Sequence, residues 1–114
     1  MSAITTHVLD TARGRPAAGV PIVLALRNAT SEWIEIGRGH TDADGRLRTL
    51  VPQGTELVVG TYRIIFDTGS YFDSVSIAGF YPEVSIVFEV KNATEHHHVP
   101  LLLQPFGYST YRGS

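Results

Sequence analysis

Two segments of the chain, Thr61-Tyr62-Arg63-Ile64-Ile65-Phe66-Asp67 and Glu83-Val84-Ser85-Ile86-Val87-Phe88-Glu89-Val90, alternate in side-chain character and are rich in β-branched and aromatic residues. A period of two belongs to a strand with one face on a core; a helix repeats every ~3.6 residues. Val20-Pro21-Ile22-Val23-Leu24-Ala25-Leu26 adds a third strand, entered from the turn-rich stretch Arg13 to Gly19. Glu32 to Ile36, His96 to Leu103, Tyr108 to Tyr111 and the opening Thr5 to Leu9 read as further strands, with Pro105-Phe106-Gly107 as a turn. Thr41-Asp42-Ala43-Asp44-Gly45-Arg46 is a tight turn in which Gly45 is free to take a positive φ, and a hairpin is expected there. Thr68 to Ile77 places Tyr71, Phe72 and Val75 at helical spacing, with Thr68 or Ser70 as the expected N-cap. Seven or eight strands and one short helix predict an all-β sandwich. The connections vary in length and interior positions alternate, which favours a sandwich over a barrel.

The 114 residues suffice for one domain, expected over residues 1–114. A domain of this size buries only about two-thirds of its unfolded surface, so association would help it. A formal charge of −2 with no block of like charge gives a nucleic acid or an anionic membrane no handle, and neither is expected as a partner. The chain has no cysteine, which excludes disulfides, thiol nucleophiles and thiolate metal sites. Met1 to Asp10 lacks a basic segment followed by an apolar one, and no apolar run approaches the roughly 18 residues of a spanning helix. A cytoplasmic protein is the expectation.

Four places hold residues with chemistry to offer: His7, Arg46, the His96-His97-His98 cluster and the polar C-terminal stretch. On a strand, His97, Val99, Leu101 and Leu103 share one face and His96, His98, Pro100 and Leu102 the other. The first set is the better core face. His98 is therefore expected on an outward face that is apolar enough, through Pro100 and Leu102, to want a partner. Imidazole titrates nearest neutral pH, as general acid or base work requires, but an ordinary surface or packing histidine fits the same pattern. His96 and His98 with His7 could also supply three nitrogens to a metal, yet their spacing matches no zinc signature. Arg46 reads either as a solvated turn charge or as a fork for an oxygen-rich substrate. The ending Tyr111-Arg112-Gly113-Ser114 reads either as a frayed terminus or as a strand extension that pins Ser114 and its carboxylate into a site.

Several segments together resemble one family. They are His7-Val8-Leu9-Asp10 with Gly14 and Pro16, Thr41 to Arg46, Gly60-Thr61-Tyr62-Arg63 with Phe66-Asp67-Thr68, Phe80-Tyr81-Pro82-Glu83, His98 to Leu103, and Tyr111-Arg112-Gly113-Ser114. The chain resembles the 5-hydroxyisourate hydrolases, the transthyretin-related proteins, over nearly its whole length. The closing tetrapeptide is the specific part, since transthyretin shares the fold, the Val-Leu-Asp start and a Tyr-Ser-Thr segment but neither this ending nor these histidines. Gln104, where serine is usual, and His97, where an aromatic is common, depart from the family pattern.

The resemblance implies a transthyretin-like (prealbumin-like) sandwich of two four-stranded sheets and one short helix. It implies a homotetramer, a dimer of dimers, around a channel lined by His7, Arg46, His98, Tyr111 and Ser114. The implied activity is hydrolysis of 5-hydroxyisourate to 2-oxo-4-hydroxy-4-carboxy-5-ureidoimidazoline in urate degradation, with no cofactor and no metal. His7, Arg46 and His98 would be catalytic, and Arg46, Tyr111 and Ser114 would bind substrate. Two other classes stand beside this one. A carrier of a hydrophobic, hormone-like ligand would have to desolvate three ionisable side chains in its channel. A structural or adhesive sandwich would call for an export signal or flanking domains.

Overall fold

The computed structural model describes residues 3–114; Met1 and Ser2, the start of the stretch read for a targeting signal, lie outside the described residues. The elements run β1 (Ile4–Asp10), β2 (Arg15–Pro16), β3 (Pro21–Arg27), β4 (Trp33–His40), β5 (Arg46–Leu47), β6 (Gly60–Phe66), α1 (Thr68–Ser74), β7 (Val84–Val90), β8 (His97–Gln104) and β9 (Gly107–Thr110). No helix among the described residues is long and apolar enough to cross a membrane.

The strands form two sheets. One is antiparallel in the order β4-β3-β6-β7. In the other, β1 lies parallel to β8, and β9 runs antiparallel along the far side of β8. The free edge of β1 takes two short strands, β5 beside residues 6–7 and β2 beside residues 9–10. The second sheet thus has four positions across its width, the outermost divided between two strands of two residues each.

The period-two patterns seat the core between the sheets. Val8, Leu24, Ile64, Phe66 and Leu101 are fully buried there, with Ile22, Tyr62, Val84 and Leu103 nearly so. Each such side chain contributes roughly 1.5–3 kcal/mol of apolar burial. Val99, Leu101 and Leu103 of β8 face inward as its alternation requires, and His97 is buried with them. Tyr71 of α1 donates its hydroxyl to the buried Asp10 carboxylate at 2.7 Å, and the same carboxylate accepts the Arg13 main-chain N–H at 3.0 Å. The helix is thereby tied to the end of β1.

Two local expectations change. The Asp42–Arg46 turn forms, with Asp42 Oδ1 accepting the main-chain N–H groups of Asp44 (2.9 Å) and Arg46 (3.0 Å). It is nevertheless a corner between sheets and not a hairpin, because β4 pairs with β3 while β5 pairs with β1. The reason lies in the bonds on either side. Thr41 is held by Val20 and Ala17 at the turn's entry, and the Gly45 carbonyl accepts the Val8 N–H at 2.7 Å at its exit.

The helix cap is Asp67 and not Thr68 or Ser70. Thr68 is buried with its hydroxyl on the Tyr81 carbonyl (2.6 Å), and Ser70 is the residue that Asp67 caps. The helix also stops at Ser74, short of Ile77. Ser76 turns left-handed at φ 57°, and the N–H groups of Ser76 and Ile77 reach back to the carbonyls of Asp73 and Phe72. That is the Schellman arrangement that closes a helix.

Gly45 at φ +75° is the pivot of the corner, and a Cβ there would stand 2.4 Å from the Val8 carbonyl oxygen. Gly45→Ala is expected to cost about 2 kcal/mol through left-handed strain and displacement of β1. Urea unfolding measures it, with Gly54→Ala as the reference, since Gly54 has a similar φ of +88° but open space around its Cβ position.

Candidate active site

His7, Arg46 and His98 come from three strands laid side by side. The β1–β5 pairing sets Arg46 opposite His7, and the β1–β8 pairing sets His98 opposite Thr5 and Pro100 opposite His7. Because Val8 and Val99 face the core, His7 and His98 emerge on the outer face of the sheet, both half-buried. His98 and Leu102 lie half-buried on that face as the alternation predicts, while Pro100, opposite His7, is already buried within the chain.

Beside His98 lies an open cleft of about 220 Å³, bordered by Thr5, Arg46, Arg48, His96, His98 and Ser114. Thr5 Oγ1 stands 2.8 Å from His98 Nδ1 and 2.9 Å from His96 Nε2. The two imidazoles are nearly parallel, at 22° and 6.3 Å between centroids. His7 does not border this cleft. Its Nε2 bonds the Asp44 carbonyl at 2.9 Å. A carbonyl only accepts, so Nε2 carries the proton and Nδ1 is the basic nitrogen of the neutral ring.

Both histidines have lowered proton affinity. For His98 burial is the main cause, followed by the positive charges of Arg46, His96 and His7; a hydrogen bond from the ring to the Thr5 main chain works weakly the other way. For His7 burial again leads and Arg46 adds to it, against the Asp44 carbonyl and the charges of Asp42 and Asp44. Both rings are therefore neutral at pH 7 and able to accept a proton. The Arg46 guanidinium has no salt bridge among the described residues. Asp42, four residues before it, spends one oxygen on the turn's N–H groups and holds Arg48 at 3.6 Å with the other. The Arg46 fork stays available to an oxygen-rich ligand.

The C-terminal segment is pinned. The Gly113 N–H donates to the His98 carbonyl at 2.8 Å, forming an isolated antiparallel bridge, and Arg112 reaches Glu95 at 3.4 Å. Only glycine fits so close, since a Cβ on residue 113 would lie 2.6 Å from His98 Cδ2. This contact carries Ser114 to the cleft. Tyr111 goes elsewhere: it is 58% exposed and borders a second cleft of about 240 Å³ with Val87, His97, Val99 and Arg112, which His98 also touches.

Of the five residues singled out from sequence, Arg46, His98 and Ser114 border one cleft, His7 adjoins Arg46, and Tyr111 stands across the tail. Thr5, Thr6 and Arg48 border the cleft without a sequence signal that marks them. The alternation that placed His7 outward also places Thr5 outward, so its position was available; its two histidine partners were not. Among the described residues no three His, Asp or Glu side chains gather as a metal-holding group. His96 and His98 instead share Thr5, while His7 is bonded to Asp44.

Comparison with known proteins places this arrangement among relatives. Residues 4–113 match the model of the HIUase/Transthyretin family. The 5-hydroxyisourate hydrolase of Caulobacter vibrioides is 47% identical over 119 residues, covering 100% of both chains. That of Salmonella typhimurium is 45% identical over 111 residues, covering 97% of this chain and 80% of the relative. The crystal structure of transthyretin from Sparus aurata superposes with a TM-score of 0.92 at 29% identity, covering 99% of this chain and 97% of that one. The sandwich is thus the transthyretin fold, and the chain belongs to the HIUase/Transthyretin family.

Proposed function

We propose that this chain hydrolyses 5-hydroxyisourate. The observation that carries the reading is the pairing of outward imidazoles of lowered proton affinity with an arginine that has no carboxylate partner among the described residues, in a chain 45–48% identical to several proteins of that name or of uric acid degradation. A carrier of an apolar ligand gains nothing from three ionisable groups at its site.

5-Hydroxyisourate is a planar, oxygen-rich bicycle with an activated ring amide. Hydrolysis adds water to that carbonyl and breaks its C–N bond, leaving a carboxylate and a ring-opened ureido group. Three things are needed: a base for the water, positive charge near the carbonyl oxygen, and a proton for the leaving nitrogen. His98 and His7 share the first and third duties, one accepting the water's proton as the carbonyl is attacked and a protonated imidazole returning it to nitrogen. Arg46 holds substrate oxygens and offsets the charge on the tetrahedral intermediate, with Arg48 adding to the field. Ser114 orients substrate from the tail. Tyr111 would orient water or substrate only from the second cleft. No metal enters this scheme; positioning and electrostatics supply the acceleration.

The working form is proposed to be a homotetramer around a channel. The face that bears His98 also bears the half-buried Leu102, and among the described residues β7 and β9 end their sheets as edges on which copies can associate.

The ultraviolet decay of freshly generated 5-hydroxyisourate, followed with and without the protein and with a chelator, tests the reading. Chelator-resistant acceleration supports it, and no acceleration overturns it. His98→Ala and Arg46→Ala are each expected to lower kcat/KM by about 100-fold or more with the fold retained, as loss of a general base or a transition-state donor does. Near-wild-type rates in either variant would remove that residue from the mechanism.

The base must be unprotonated, and both histidine pKa values lie below the ordinary value of about 6.5. Activity should therefore rise with pH along a limb centred below 6.5 and be flat by pH 7; a pH–rate profile shows this directly. The same shifts act on stability. The unfolded chain binds protons that the folded one refuses, so stability is complete above about pH 6.5 and falls as pH drops through the lowered folded values. Gly113→Ala should lower kcat about tenfold by displacing the His98 ring, while thermal unfolding changes little.

A further inference from the structure

Thr5 is buried to 6% exposure at the foot of the cleft, and among the described residues its hydroxyl is the one group that bonds both His96 and His98. A hydroxyl has a single proton to give. Between two ring nitrogens it must donate to one and accept from the other, so the tautomers of the two histidines are linked. Nδ1 is the His98 nitrogen that faces Thr5, and a ring protonated there keeps Nε2 as its basic nitrogen. The chain of bonds then runs from His98 Nδ1–H to Thr5 Oγ1, and from the Thr5 hydroxyl to His96 Nε2. His98 Nε2 is left with its lone pair and without a protein partner among the described residues.

We propose that Thr5 is a positioning residue of this site: its hydroxyl, shared between His98 and His96, fixes His98 as the Nδ1–H tautomer and holds its ring so that Nε2 is the basic nitrogen offered to the reacting water. This rests on the hydrolase reading for its chemistry but not for its geometry. Three features support it. Thr5 sits opposite His98 in the parallel β1–β8 register, so the backbone fixes their separation. The β-branched side chain has few rotamers, so its hydroxyl is held in place at low entropic cost. His96 lies nearly parallel to His98, 6.3 Å away between centroids, so both rings reach the same hydroxyl. A wrong tautomer would present Nε2–H, a donor where a base is needed.

The experiment compares the wild type with Thr5→Val, which keeps the branched shape and removes the hydroxyl, and Thr5→Ser, which keeps the hydroxyl. The first readout is histidine side-chain ¹⁵N NMR of the free protein, which distinguishes Nδ1–H from Nε2–H rings and needs no substrate. Wild type and Thr5→Ser are expected to show His98 as Nδ1–H; Thr5→Val should show a mixture of tautomers or the reverse one. The second readout is steady-state hydrolysis. Thr5→Val should lose about 10- to 100-fold in kcat, with KM changed less than threefold, and Thr5→Ser should recover most of the loss, as expected of a group that orients a reacting ring. Should Thr5→Val not fold, Thr5→Ala takes its place with the same expectations.

An unchanged His98 tautomer in the hydroxyl-free variant overturns the proposal whatever the kinetics. So does an unchanged kcat with the tautomer altered. If the wild type shows no hydrolysis, the functional reading fails while the NMR comparison still decides the tautomer.

Discussion

The parallel pairing of β1 with β8 is the constraint on which the rest of the molecule depends. Seven residue pairs, from Ile4 with His97 to Asp10 with Leu103, set one register for both faces of the sheet. Inward, Thr6 meets Val99 and Val8 meets Leu101, and these close the sandwich core. Outward, Thr5 meets His98 and His7 meets Pro100. A slip of one residue would turn the histidines into the core and the valines into solvent, so the register that builds the hydrophobic core also builds the cleft. The free edge of β1 then captures β5 and brings Arg46 to His7.

That geometry gathers bases and cations while keeping acids at a distance. Asp42 is engaged by main-chain N–H groups and Arg48, Glu95 by Arg112, and Asp10 by Tyr71 on the opposite side of the sheet. The imidazoles feel Arg46 and one another more than any carboxylate, and partial burial adds to the effect. The outcome is a cluster in which His7 and His98 are held below the ordinary imidazole pKa beside a permanent positive fork. Such a field suits a reaction that develops negative charge on oxygen and passes one proton between two heavy atoms.

How much of this the sequence carried depends on the range of the interaction involved. Strand alternation is local, and it correctly divided His98 from His97 and His7 from Val8, and with them the core from the functional face. Pairing is not local. The Asp-Gly turn at Asp44-Gly45 looks like a hairpin because the turn itself satisfies every short-range rule; the bond from Val8 N–H to the Gly45 carbonyl and the β5–β1 pairing send its exit to the other sheet. The helix cap departs from the local expectation for a related reason. Thr68 has the chemistry of a cap, but tertiary contact with Tyr81 took its hydroxyl and left the role to Asp67. Thr5 drew no notice because a threonine in a strand is unremarkable until two histidines from residues 96 and 98 meet it. Tyr111 and Ser114, close in sequence, part company because the tail crosses His98 at Gly113 and leaves them on opposite sides.

The hydroxyl–imidazole bond between Thr5 and His98 spans 93 positions of the chain. A ribosome therefore releases the opening strand long before the strand that completes it exists. During that interval β1 can have only the two short strands β2 and β5 along one edge, and the cleft lacks the wall that β8 supplies. The β4-β3-β6-β7 sheet, whose strands pair within a continuous central stretch of sequence, can form first and wait as a platform. Chemistry in this molecule is thus the last property to arrive during synthesis, and a chain interrupted anywhere before β8 is a partial scaffold with no site to misfire.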